Sequence, residues 1–167
     1  LSGGWARAGL AIGAGAVGAL AMPPFGLWPA LAVSLTAAVW LLDGSQGRTP
    51  WATARRAAVV GWLWGLGYFV AGLWWIGSAF LVEADVFLWL LPFGVLGLPS
   101  VLALFTAVGF ALSRLLWSPG PARLLALGVG LGTAEWLRGH LLTGFPWNTL
   151  GLAWGQSLVL MQTAAVV

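Results

Sequence analysis

The sequence predicts an all-α fold, a polytopic membrane helix bundle of about five spans. Three observations point to it. Apolar residues make up 60% of the 167 positions before glycine is counted, against roughly 45–50% with glycine included in a soluble domain. Charged residues are 7%, where about 25% is usual, and so few charges cannot cover a water-exposed globule of this size. Finally, apolar runs of helix length follow one another along the chain, parted by scarce charges, prolines and glycine-rich turns. The 25 glycines and 13 tryptophans suit helices that pack closely in lipid and carry Trp near headgroups. The same composition excludes disorder, which requires polar, aromatic-poor sequence.

The first run extends from about Ala8 to Ala21 and halts at Pro23-Pro24, because proline lacks an N–H and clashes with the preceding turn. The second extends from about Leu27 to Leu42 and stops at Asp43-Gly44. At 1.5 Å per residue both fall short of a hydrocarbon core of roughly 30 Å. Either their flanks lengthen them or they form a helical hairpin folded at Pro23-Pro24-Phe25-Gly26. The third run, Ala57 to Leu81, is long enough to cross with tilt. The fourth, Val86 to Leu112, contains Pro92 and Pro99 and is expected to be kinked or broken. The fifth, Leu124 to Leu142, carries Glu135, Arg138 and His140 near its end. An apolar tail follows, interrupted by Gln156 and Gln162, and suits an interfacial helix or the start of a sixth span. The closing run Ala164-Ala165-Val166-Val167 makes the chain read as a segment of something longer.

All seven basic residues are arginine. With the spans alternating, Arg7, Arg48, Arg55, Arg56, Arg114 and Arg123 fall on one side. That bias predicts a cytoplasmic N-terminus. Glu83, Asp85 and the turn Gly144–Asn148 fall on the other. Arg7, the apolar stretch after it and Ala19-Leu20-Ala21 imitate a cleaved signal peptide, yet the rest of the chain is equally apolar, so the segment is read as retained. Small residues at four-residue spacing (Gly9/Gly13, Gly61/Gly65, Gly128/Gly132) favour a packed bundle over independent anchors.

Several chemistries are excluded. The absence of cysteine removes disulfides, thiolate nucleophiles and Cys metal sites. A single His cannot build a multi-His metal centre. The pI near 11.2 reflects a net charge of +3 spread over apolar spans, which is no phosphate-binding stripe, so nucleic acid is not an expected partner. No cofactor or metal is expected.

The stretch richest in chemistry is Glu135 to Asn148. Glu135 and Arg138, three residues apart, share a helix face and can pair. Such charges face either a polar cavity or lipid-headgroup site, or they form an internal ion pair locking the helix to a neighbour. Both readings turn that face away from lipid tails. His140, with no second His and no nucleophile beside it, is read as an interfacial hydrogen-bonding group that helps position the turn, as is Asn148. Phe145-Pro146-Trp147 is a rigid aromatic turn, either a belt anchor or a wall against an acyl chain or headgroup. Trp74 and Trp75 point about 100° apart on a helix, so at least one meets protein or ligand. Glu83 and Asp85 read as a solvated acidic loop.

This set of stretches resembles the amino-terminal membrane part of bacterial apolipoprotein N-acyltransferase. The residues that carry it are Pro23-Pro24-Phe25-Gly26-Leu27-Trp28-Pro29, Gly65-Leu66-Gly67-Tyr68-Phe69 with Gly72-Leu73-Trp74-Trp75-Ile76, and Leu112-Ser113-Arg114. Glu135-Trp136-Leu137-Arg138-Gly139 through Thr143-Gly144-Phe145-Pro146-Trp147 completes them and is the most specific block. The resemblance implies an inner-membrane enzyme of bacterial lipoprotein maturation. Such an enzyme moves an acyl chain from a phospholipid donor to the α-amino group of the diacylglyceryl-Cys of an apolipoprotein acceptor. In that family a ring of membrane helices supports a periplasmic nitrilase-like domain whose Glu-Lys-Cys triad forms a thioester. Cysteine and lysine are both absent from this sequence, so no catalytic residue is assigned within 1–167 and the segment alone is expected to be inert. The catalytic domain is expected beyond Val167. The role implied for this segment is scaffold and lipid access, with Phe145, Pro146, Trp147, Trp74 and Trp75 contacting acyl chain or headgroup, and Glu135 and Arg138 positioning the turn. Two other classes fit the composition alone: a transporter or channel subunit, against which the halves lack an internal repeat, and a structural anchor.

Overall fold

The computed structural model describes residues 4–142, 144–156 and 158–162. Thr143 and the apolar end Ala164-Ala165-Val166-Val167 lie outside the described residues. Every regular element among the described residues is helical.

Helices α1 (Gly4–Ala19) and α2 (Trp28–Asp43), of 16 residues each, are about 24 Å long. They form the hairpin anticipated from the two prolines, closed by the Leu27 N–H donating to Leu20 O at 2.9 Å. Helix α3 (Pro50–Gly72) starts with Pro50 in its first turn and Thr49 as N-cap, whose Oγ1 accepts the Ala52 N–H at 3.1 Å. Both are established helix-start signals.

The third apolar run does not continue straight to Leu81. Beyond Gly72 the chain bends by 50° into a 3₁₀ segment, Trp74–Leu81. The Asn148 side chain presses against Gly72 at that point. The fourth run departs from expectation in the opposite sense. Residues Ala84–Leu115 form one apolar helical rod of 32 residues, long enough to cross a membrane. It comprises α4 (Ala84–Phe87), a 3₁₀ turn (Leu88–Leu90), a π segment (Phe93–Gly97) and α5 (Leu98–Leu115). Pro92 and Pro99 sit where the pitch changes, so each missing N–H falls at a segment start and the rod is not broken. By length and composition this rod passes as a span alone, and α3 with its 3₁₀ extension passes only as a bent pair. Helix α6 (Ala122–His140) follows the Gly120-Pro121 turn. The tail forms a 3₁₀ segment, Leu150–Gln156, and a last turn, α7 (Leu158–Met161).

In space α2 packs on α1, α1 on α3, α3 on α5 and α5 on α6. The contacts combine small residues with a few large side chains, Trp64, Tyr68, Phe69 and Phe110 among them, and many other large apolar residues lie on the outer surface. Ala11, Ala38, Ala57 and Ala103 are fully buried, while Trp5, Trp40, Trp51, Trp89, Leu125 and Trp136 are exposed. Of the glycine pairs named above, only Gly61/Gly65 lies in a seam, against Phe110 and Thr106. Gly9, Gly13, Gly128 and Gly132 face open space. The other close approaches are made by Gly15 and Gly67 between α1 and α3, and by Gly109 against Gly130 between α5 and α6. Periodicity alone cannot say which side of a helix a glycine faces, so spacing picked out one pair in a seam and two that face open space.

Two substitutions separate these classes. Gly15→Ala would drive a methyl into the backbone of Trp64 and Tyr68 and is expected to lower stability by about 1–3 kcal/mol. Gly128→Ala, in open space within a helix, should stabilise by about 0.4–1 kcal/mol. Denaturation of the two variants in detergent checks both signs.

Candidate functional site

The site lies where α3 and α6 end together. After α6 the chain turns back sharply. The Leu141 N–H still reaches Leu137 O at 2.8 Å, Leu142 and Gly144 take positive φ, and the Phe145 N–H donates to Arg138 O at 2.8 Å. Asn148 is also left-handed, at φ 52°, a conformation asparagine tolerates better than most residues. The result is a compact turn folded over the end of the bundle.

Arg138 is the anchor. Its side chain is 3% exposed. One guanidinium nitrogen donates to Trp147 O, another lies 3.7 Å from Glu135 Oε1, and the group stands 5.1 Å over the Phe69 ring. Glu135 Oε1 in turn accepts the Leu150 N–H at 2.5 Å. The i,i+3 pair therefore grips the turn at two backbone points, one acceptor and one donor. A buried cation is tolerable only with such partners, since leaving it unpaired costs several kcal/mol.

From the other side, Tyr68 Oη donates to Asn148 O at 3.1 Å. Tyr68 stacks on Trp64 at 5.3 Å and meets Phe69 edge-on at 5.3 Å. Trp64 Nε1 donates to Ser34 Oγ at 3.1 Å, and that hydroxyl donates to Ala14 O at 2.6 Å. The turn is thus tied through α3 to α2 and α1. Between Tyr68, Glu135, Arg138 and Asn148 is a cavity of about 10 Å³, space for roughly one water. Asn148 Nδ2 is buried and has no hydrogen-bond partner among the described residues.

The aromatic candidates sit on the outside of this clamp. Trp147 is 59% exposed and meets Trp75 edge-to-face at 6.1 Å. Trp74 and Pro146 are exposed, whereas Phe145 is half-buried against the core. The structure therefore brings together Glu135, Arg138, Asn148, Trp147 and Trp75. His140 is not among them. It is exposed, stacked on Trp136 at 4.6 Å with Nδ1 2.8 Å from Trp136 O, one turn removed from the clamp. Sequence reasoning passed over Trp64, Tyr68 and Gly72 as site residues. Their signal was the i,i+4 spacing on one face of α3 and the fact that Tyr68 is the chain's one tyrosine.

The family model for the apolipoprotein N-acyltransferase N-terminal domain matches residues 14–167, a range that includes every element of the clamp. The chain belongs to this family. It is 56% identical over 171 residues to an apolipoprotein N-acyltransferase of Rhodopseudomonas palustris, with 100% of this chain and 31% of that protein covered. It is 52% identical to the Agrobacterium fabrum protein of that name, over 98% of this chain and 32% of the relative. The Bradyrhizobium diazoefficiens protein is 54% identical, over 100% of this chain and 31% of the relative. The chain thus spans about a third of the length of the curated relatives it matches.

Arg138→Met should destabilise the folded protein by about 3 kcal/mol, because it strands Glu135 and Trp147 O together. Combining it with Glu135→Gln should recover part of that loss. Tyr68→Phe, which removes one neutral hydrogen bond, should cost about 1 kcal/mol. A double-mutant cycle on thermal unfolding of the full-length protein in detergent measures all three.

Proposed function

We propose that this chain is the amino-terminal membrane portion of an N-acyltransferase of lipoprotein maturation, and that it supplies scaffold and lipid access. In the reaction the donor phospholipid's acyl ester breaks and an amide forms on the α-amino group of a diacylglyceryl-Cys. The headgroup side leaves as a lysophospholipid, and the amine's proton goes to a base. Neither a thiolate nor a lysine exists in this sequence, and acyl transfer of this kind needs an activated nucleophile. Bond-making is therefore assigned to the part of the relatives that this chain does not span.

On this reading α1, α2, α3 with its 3₁₀ extension, the Ala84–Leu115 rod and α6 each pass through or into the inner membrane. The 150–162 tail lies at the interface or begins a sixth span. The large apolar side chains exposed over the bundle's exterior support it, since an exterior of that kind is stable against lipid tails. Arg7, Arg56, Arg114 and Arg123 all reach residues 41–46 at one end of the bundle. That clustering supports a cytoplasmic N-terminus and a periplasmic Gly144–Asn148 turn.

The observation that carries the proposal is the clamp. Arg138 and Glu135 hold the backbone on either side of Asn148, so Trp147 projects outward beside Trp75 without having to pack inward to keep its place. A rigid, half-exposed aromatic pair at the periplasmic membrane surface is suited to receive the acyl chain or headgroup of a donor phospholipid. Phe145 and Pro146 stiffen that wall. Asn148 helps to position the turn through its backbone carbonyl, which accepts from Tyr68 Oη, and His140 caps the exposed side of α6 beside it.

In the full-length enzyme Trp147→Ala should lower acyl transfer at limiting phospholipid by about fivefold, the loss of one aromatic contact of roughly 1 kcal/mol. Unfolding temperature should be unchanged. An initial-rate assay over a donor-lipid titration checks it, and an unaltered rate at the lowest donor concentration would count against the assignment.

A further inference from the structure

At the end of the bundle opposite Trp147, α1 and α3 part around an open groove of about 520 Å³. Arg7, Arg55 and Arg56 line its mouth, and Val59, Val60 and Leu63 line its floor. Among the described residues no carboxylate lines it. The acidic residue at that end, Asp43, is engaged 2.7 Å from Arg123 and accepts from Trp117 Nε1 at 2.9 Å. Neither ion pair among the described residues includes the three groove arginines.

Two of the three are already hydrogen-bonded, but only to neutral acceptors. Arg7 donates to Leu41 O at 2.6 Å, Gly44 O at 2.8 Å and Ser45 Oγ at 2.5 Å, and Arg56 donates to Gln46 O. These bonds fix the guanidiniums in place without cancelling their charge. Arg55 is exposed and has no hydrogen-bond partner among the described residues. Three like charges lining one groove repel one another, and an anion placed between them relieves that repulsion.

The floor decides which anion. Val59 and Leu63 continue along α3 from the arginines for about 11 Å, exposed or half-exposed and wholly apolar. A free phosphate would leave this track uncovered, whereas an acyl chain covers it. A zwitterionic headgroup would bring an ammonium against three guanidiniums. We propose that the groove between α1 and α3 binds an anionic phospholipid, its phosphate among Arg7, Arg55 and Arg56 and its acyl chain along Val59 and Leu63. Basic pockets between membrane helices on the cytoplasmic side take lipids of this class. Arg55 and Gly72 are about 26 Å apart along α3, so this lipid is not the acyl donor placed at Trp147. The inference rests on the bilayer part of the functional reading and is independent of the acyl-transfer part.

The test uses the full-length protein, delipidated in detergent, then given phosphatidylglycerol or phosphatidylcholine with matched acyl chains and read by native mass spectrometry. The unmodified protein should retain phosphatidylglycerol over phosphatidylcholine. Arg55→Gln should reduce that retention about fivefold, and Arg55→Gln with Arg56→Gln more than tenfold. Arg48→Gln removes the same charge outside the groove and should leave retention unchanged. If the double variant does not insert, the single Arg55→Gln decides the matter. Equal retention of the two lipids overturns the proposal. So does an Arg48→Gln loss equal to that of Arg55→Gln, or displacement of phosphatidylglycerol by inorganic phosphate at equal concentration. A protein that stays dispersed without detergent and keeps neither lipid would instead sink the bilayer reading.

Discussion

The arrangement depends on one steric constraint: α3 must approach its neighbours until backbones touch. Gly15 meets the backbone of Trp64 and Tyr68, Gly67 meets that of Ile12, and Gly61 and Gly65 admit Phe110 and Thr106. A Cβ at any of these glycines would collide with the neighbouring helix. Where helices have little apolar surface to hide from one another, van der Waals contact and interhelical hydrogen bonds must hold them. The bonds are present at those same contacts. Thr106 Oγ1 donates to Gly61 O at 3.0 Å, and the Ser34 hydroxyl links Trp64 to Ala14 O. Close approach also sets the rotation of α3, and rotation sets which residues reach its far end. Tyr68 and Gly72 meet Asn148 of the turn from the same helix face that Gly61 and Gly65, seven residues earlier, press into the seam with α5.

Charged hydrogen-bonding groups, unlike these hydroxyls, gather toward the two ends, where they do different work. At one end the segment 41–46 is a hub on which arginines from α1, α3, α5 and α6 converge. Guanidiniums there satisfy carbonyls at the end of α2, where the helix dipole also favours positive charge. At the other end a single buried guanidinium works with a carboxylate on a loop backbone. The first end fixes how the helices converge, and the second fixes one turn.

Much of this was legible in the sequence, and the limits have physical reasons. Scarce charge and helix-length apolar runs are enough for the all-helical class and the approximate helix ends. Glu135 and Arg138 declared themselves by i,i+3 spacing, because ionisable groups in so apolar a run need a partner. Pro92 and Pro99 misled, since a proline at a change of helical pitch looks in sequence like a proline at a break. Gly72 misled in the other direction, as nothing local to it reveals that Asn148, 76 positions later, arrives against it. Tyr68 has the same history, its partner being 80 residues away. Contacts of that sequence separation exist only once the seams have set the helix rotations.

The chemistry of the Arg138–Glu135 pair explains why charge is kept where an apolar pair would fill the same space. The turn after α6 carries a backbone carbonyl at Trp147 and an N–H at Leu150 in an apolar setting, and no ladder or helix satisfies them. A carbonyl needs a donor and an N–H needs an acceptor, at positions one helical turn apart on a single face. Arginine and glutamate at i and i−3 supply both with long side chains that can reach beyond their own helix. Each also neutralises the other's charge. Replacing them with leucine and methionine would remove the ionic desolvation cost but orphan two backbone groups, each costing about 1–3 kcal/mol. It would also release the turn to pack by whatever apolar contact it could find, and the exposed Trp147 is the largest apolar group available to it. Ionic anchoring of the backbone is therefore what leaves that indole on the surface.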